Sequence, residues 1–176
     1  MMRTSFFAVL LLLLTACATT PDDDGPLQPA PPWRQEPIPG GAAPAVYTQE
    51  WLQAENRATC ALIAPRSLGP EGAGATPRAA TFSGGWAVAY DLPNLRSAFG
   101  VAGTGAKADA PGSYDQWPHA IQWDDGSKAE YGPEGGQGPK QLAYVRIQGQ
   151  ECLYNVWSAI GREHLELLLR ELRFVR

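Results

Sequence analysis

Alternation of apolar and polar positions is clearest in the middle of the chain. In residues 85–91, "GWAVAYD", Trp86, Val88 and Tyr90 fall on one side of an extended strand, with Ala87 and Ala89 on the other. The turn-forming "LPN" follows, and in residues 96–103, "RSAFGVAG", Phe99 and Val101 again share a side. The two runs predict a β-hairpin. The small alternates Ala87, Ala89, Ala98 and Gly100 predict another element packed closely on the opposite face. "AIQWDDGSKAEYG" predicts a second hairpin, its turn centred on Asp125-Gly126, a pair suited to the positive φ angles of a type I′ turn. Residues 141–148 and 151–157 predict a third, turning about Gly149-Gln150.

The period changes at both ends. Leu165, Leu168, Leu169 and Leu172 stand at i, i+3, i+4 and i+7, the apolar stripe of an amphipathic helix that Ser158 could cap. Arg162–Glu166 and Glu166–Arg170 are i,i+4 pairs on its exposed side. "TQEWLQAENRA" predicts an earlier helix with Thr48 as N-cap. "CALIA", residues 60–64, continues that helix or forms a strand; so short a run does not decide by period, and the strand reading is slightly favoured. Residues 65–80 and 104–116 read as loops. The fold class is therefore α+β: an N-terminal helix, a mainly antiparallel sheet of about five to seven strands, and a C-terminal amphipathic helix, in one domain over residues 47–176.

Upstream of that domain the periodicity disappears. Residues 17–46 contain "PDDDGPLQPAPPWRQEPIPGGAAPA", rich in proline and acidic at the start. Proline fixes φ and removes donors, so this segment reads as an extended, disordered tether. Its reach lies between ~30 Å as a flexible coil and ~90 Å as polyproline II. Trp33 and Ile38 are out of place in a pure spacer and read as docking loosely on the domain.

The first residues carry one positive charge, Arg3, and then an apolar run from Phe6 to Leu14. That run is about half the ~20 residues a membrane-spanning helix needs. A charged start followed by a short apolar core is the pattern of a secretory signal. It ends in Leu14-Thr15-Ala16-Cys17, which resembles the lipobox of bacterial lipoproteins. The resemblance covers only about the first 20 residues. It implies that residues 1–16 are a cleaved signal peptide. Cys17 then carries a thioether-linked diacylglycerol, usually with an amide-linked acyl chain as well. Two or three acyl chains anchor stably where one does not. The implied place is the bacterial cell envelope, lipid-anchored. Ala18 after the cysteine, where an aspartate would retain the protein in the inner membrane, favours the outer membrane facing the periplasm.

Composition narrows the partners. The formal charge is −4. Loss of residues 1–16, with one Arg and no acid, makes the chain more acidic. Such a surface argues against nucleic acid. The 19 glycines and 16 prolines are about a fifth of the chain, above the usual ~12%, and imply long loops. With Cys17 acylated, Cys60 and Cys152 remain, and in an oxidising compartment an isolated pair reads as one disulfide, two buried thiols being the alternative.

Catalytic chemistry is sparse. His164 sits among helical residues and reads as a surface or boundary position. His119, in "YDQWPHAIQW", has Asp115, Asp124 and Asp125 nearby but no nucleophile motif beside it. No catalytic residue, metal site or cofactor is assigned. Six tryptophans are many for this length. Trp86 and Trp157 read as core, whereas Trp117 and Trp123 lie beside loops and could present an exposed platform around His119. The expected function is a non-catalytic binding or envelope-accessory module for an envelope protein or cell-wall component. A periplasmic inhibitor or immunity protein against a wall-degrading enzyme is the first alternative, and a glycan- or peptidoglycan-acting enzyme the second.

Overall fold

A computed structural model describes residues 28–109, 117–136 and 140–176. In chain order these form helix α1 (Ala45–Gln53) and strands β1 (Ile63–Pro65), β2 (Thr76–Ala79), β3 (Trp86–Leu92), β4 (Leu95–Lys107), β5 (His119–Gln122), β6 (Lys128–Pro133), β7 (Gln141–Arg146) and β8 (Cys152–Ser158). Helix α2 (Arg162–Glu171) and strand β9 (Leu172–Phe174) close the chain. The fold is α+β. Seven strands make one antiparallel sheet in the order β2-β3-β4-β8-β7-β6-β5, and β1 pairs with β9 in a second.

The alternation in the sequence becomes two faces. Val88 pairs with Val101, Val101 with Val156, and Val156 with Ala143, so one face runs unbroken across four strands. Onto it pack Tyr47 from α1 and Leu165, Leu168 and Leu169 from α2, all with no exposed surface. Gly103 lies between Trp86 and Tyr154 on this face. A Cβ there would stand 2.5 Å from the Trp86 indole nitrogen and 2.6 Å from Cys60 Sγ, so only glycine lets the core close. On the opposite face the Trp157 ring lies across Gly100, where a Cβ would meet it at 2.2 Å. Trp157 is thus a cover on that outer face, while Trp86 is core.

Cys60 and Cys152 form a disulfide, with Cα atoms 5.4 Å apart. It fixes the loop after α1 to the start of β8. Glu151 N–H donates to the Thr59 carbonyl at 3.0 Å beside it, and Tyr154 donates to the Ala61 carbonyl at 2.9 Å.

Several local expectations shift. The run at residues 60–64 ends in strand β1, and β2 lies inside the expected loop 65–80. Helix α1 begins after Pro44 rather than at Thr48; Pro44 (φ −53, ψ 132) stands at the N-cap, and its carbonyl accepts the Tyr47 N–H. Gly161, not Ser158, precedes α2; Ser158 accepts the Ile160 N–H instead. Leu172 leaves the helix to enter β9. The β5–β6 turn is not type I′. Gly126 has φ 86 but Asp125 is not left-handed, and Trp123 N–H donates to the Ser127 carbonyl at 3.0 Å, closing a three-residue connection.

The largest correction concerns the tether. Residues 29–44 are part of the fold rather than a disordered spacer. Pro31 (φ −69, ψ 143) and Gln35 (φ −72, ψ 171) hold an extended backbone around a 3₁₀ turn, Pro32–Arg34. Trp33 is 7% exposed and packs edge-on against Trp123, ring centres 4.8 Å apart. Its indole N–H donates to Asp125 at 3.0 Å, and Arg34 pairs with Asp124 at 2.8 Å. Ile38 then bridges Val175 in parallel, adding to the edge of β9. The buried Arg173 guanidinium donates to the Gln35 side-chain oxygen and to the Arg170 and Leu172 carbonyls. Proline stiffness did not preclude docking; it lowers the entropy lost when an extended segment settles. Residues 1–27, with the signal peptide, Cys17 and the start of the tether, lie outside the described residues.

Candidate functional site

The docked N-terminal strap, edge strand β5 and helix α2 together frame a groove. His119, Ile121 and Trp123 alternate toward its interior, because their neighbours in β6, Tyr131 and Ala129, face the core side. Arg162, Glu166 and Arg170 follow one another at i,i+4 along the facing side of α2. Two cavities lie along this line. One, of about 510 Å³, is lined by His119, Glu71, Glu163 and Arg162 among others. The second, of about 480 Å³, is lined by Ile121, Trp123, Tyr131, Glu166, Arg170 and the strap from Pro29.

A polar saddle separates them. Tyr131 donates to Glu166 at 3.0 Å, Arg162 reaches Glu166 at 3.6 Å, and Arg162 also contacts His119 Nε2 at 3.3 Å. Burial, then the bond to the Glu166 carboxylate, pushes the Tyr131 phenol up to about 12. It therefore stays a neutral donor throughout the physiological range.

Both histidines border the first cavity, although nothing in their positions along the chain pairs them. His164 is 3% exposed, correcting its reading as a surface or boundary residue. Its Nε2–H donates to the Leu68 carbonyl at 3.0 Å, which makes Nδ1 the acceptor for the Ser158 hydroxyl at 2.9 Å. Burial pushes the His164 pKa down, against the pull of the Leu68 carbonyl. Ser158, fully buried, receives the Ile160 N–H on the same oxygen. The Ser158–His164 contact has the distance of a nucleophile and base, but the serine has no surface to offer a substrate. It is a buried tie between β8 and α2.

The expected aromatic platform is split by the sheet. Trp123 is 4% exposed beneath Trp33, so it is not an exposed surface. The reason lies in the strap: Trp33 docks on the domain, as its place in a proline-rich run suggested, but its seat directly over Trp123 is set by the fold. Trp117 lies on the outer face instead, half-buried beside Tyr144 with ring centres 5.8 Å apart and packed over Gly132. His119 thus shares a groove with Trp123 and not with Trp117. Asp115 lies outside the described residues. Asp124 and Asp125 turn away from His119 to hold the strap. Burial raises the Asp125 carboxyl, but bonds from the Ser127 N–H and the Trp33 indole outweigh it and hold it below the usual range.

The residues missed by sequence reading are Arg162, Glu166 and Tyr131. Arg162 and Glu166 carry a helical spacing, yet that spacing indicates only an exposed helix side. Among the described residues no group of three or more His, Cys, Asp or Glu gathers as a metal site. No helix there is long and apolar enough to cross a membrane. No family model, no curated protein and no solved structure matches this chain.

Proposed function

We propose that this protein is a bacterial lipoprotein, anchored through acylated Cys17 and held at the outer membrane facing the periplasm, whose domain binds a protein partner there. The observation that carries the anchoring is Leu14-Thr15-Ala16-Cys17 at the end of a short apolar run. The Cys60–Cys152 disulfide supports an oxidising compartment. Binding is favoured over turnover by the commitment of the groove's reactive groups. His164 is locked between two acceptor and donor partners, Ser158 is buried beneath it, and Tyr131 is bound to Glu166.

Labelling with a fatty-acid analogue tests the anchor. Wild type should take up label and Cys17→Ser should not; equal labelling of both would defeat the reading. Purified protein incubated with peptidoglycan should release no soluble fragments, and release that disappears in His119→Ala would instead establish an enzyme.

A further inference from the structure

We propose that the outer edge of β5, at Ala120 and Gln122, takes an extended segment of a protein partner as an added antiparallel strand, its alternate side chains entering the two cavities. This identifies the kind of partner and so rests on the binding reading above. Among the described residues β5 is the last strand of the sheet and pairs as a strand on one side only, with β6; the strap meets its outer edge at one end, where Asp124 N–H donates to the Pro29 carbonyl at 3.1 Å. Trp123 N–H donates to the Ser127 carbonyl, which fixes the phase of the ladder. In an antiparallel pair the bonded residues alternate. Residues 119, 121 and 123 therefore bond inward, and the N–H and C=O of Ala120 and Gln122 point away from the sheet. Both residues are exposed.

The other edge of the sheet supplies the contrast. On β2, Ala80 N–H donates to the Ala87 carbonyl, so the outward positions are Pro77 and Ala79. Pro77 has no N–H to offer a partner strand, and Arg78 adds a charge within the strand. Proline and charge are usual means of blunting an edge. β5, His-Ala-Ile-Gln, has neither a proline nor a fixed charge within it.

Side chains of an added strand repeat every two residues, as do His119, Ile121 and Trp123. The groove's charges then fix what they are. Beside His119, Arg162 is engaged with Glu166 while Glu71 and Glu163 form no ion pair among the described residues. A basic side chain fits there. At the other end Arg170 lines the second cavity and forms no ion pair among the described residues, so an acidic side chain fits. An aliphatic side chain fits beside the polar saddle, against the Ile121 wall of the second cavity. Main-chain bonds supply affinity and the alternate pockets supply selectivity in such complexes. In the antiparallel sense the partner reads acidic-x-aliphatic-x-basic.

The probe is acetyl-Glu-Thr-Val-Thr-Lys-amide, titrated into the full chain in detergent micelles while backbone amide resonances are followed. Binding at about 1 mM or tighter, with the shifts centred on Ala120 and Gln122 and none at Ala79, is the expected result. Methylating the two Thr amides of the probe removes the donors facing β5 and should weaken binding about tenfold. Gln122→Pro in the protein should do the same, since that N–H bonds to nothing in the sheet. The methylated probe keeps the test valid if this variant misfolds. Exchanging Glu and Lys in the probe should weaken it several-fold. No binding, equal binding of the methylated probe, or shifts on the Trp117 face would overturn the proposal. A dimer in sedimentation that Gln122→Pro dissolves would also overturn it, by giving the edge to a second copy. Fatty-acid labelling of Cys17 is read separately, so loss of the anchor and loss of the strand site are distinguishable.

Discussion

The two edges of the large sheet are equally short, four residues each, yet they are finished by different means. β2 is closed by its own neighbourhood. Arg78 pairs with Asp91 at 2.8 Å, and Asp91 accepts the Ser97 N–H at 2.6 Å across a bulge where Ser97 takes φ 51. The β5–β6 turn has one local bond, from Ser127 N–H to Asp125 at 2.9 Å. Beyond that bond its hairpin is held from a distance, by Trp33 and Arg34 on Asp125 and Asp124, about ninety residues away in the chain. One edge is sealed by sequence neighbours and carries a proline. The other keeps its backbone groups accessible and is steadied from one end. An edge can therefore be kept open without being left loose.

The disulfide at the centre of the sheet should matter most. The Cys60–Cys152 disulfide spans 92 residues, for which the entropic account gives about 4–5 kcal/mol. Its second half sits on central strand β8, so replacing both cysteines by alanine should lower the stability of both edges together. Urea melts followed by amide exchange would measure this; β2–β3 and β5–β6 opening at different urea concentrations would break the comparison.

Trp33→Ala should come next, at about 3 kcal/mol for removing a buried aromatic ring. The loss should be local. Exchange protection should fall across residues 119–131 and in the strap, and hold in β2–β3. Equal loss at both edges would mean that the strap supports the whole sheet.

Acid should separate the two sides as well. Burial depresses the His164 pKa in the fold, below about 6.5 for the unfolded chain. In that window the unfolded state binds the proton, so the contribution is full above about pH 6.5 and is lost as pH falls toward the folded value. His164→Asn should flatten the fall in thermal stability that begins below about pH 6.5. The Asp91 carboxyl is held low by Arg78 first and the Ser97 N–H second. Its contribution is present above about pH 3.9 and is lost as pH falls below it. Melting temperatures measured across pH should thus show the β8–α2 tie weakening before the β2 clamp. The reverse order would sink this assignment.

Arg78→Ala should have the smallest effect on stability, because the pair is partly exposed. It should also leave the β2 edge unable to bind the peptide probe, since Pro77 still lacks a donor. Binding at β2 in this variant would show that the charge, not the proline, had closed that edge.

Much of this architecture was legible in the sequence. The Trp86-Val88-Tyr90 and Phe99-Val101 alternation marks one face of β3 and β4, and those residues are buried on it. The Leu165–Leu169 stripe is the buried side of α2. The pairing of Cys60 with Cys152 followed from their being the two cysteines left for a bridge. Short elements without a period of their own were less legible. β2 contains a proline and an arginine and looks like loop; β9 hides the last leucine of a helical stripe.

What the sequence determined by itself is the set of elements whose buried side repeats with a local period of two or about 3.6 residues, because burial of a regular element writes that period into adjacent positions. What only the tertiary structure decided is where segments lacking a period come to rest. Trp33 finds Asp125 at a separation of 92 residues, His164 finds the Leu68 carbonyl at 96, and Arg162 finds His119 at 43. Such contacts depend on two surfaces formed by distant parts of the chain, and neither part alone carries a mark of the other. That is why the proline-rich run read as a spacer, why Trp123 read as exposed, and why the groove along β5 emerges only once the strap, the edge strand and the helix are in place.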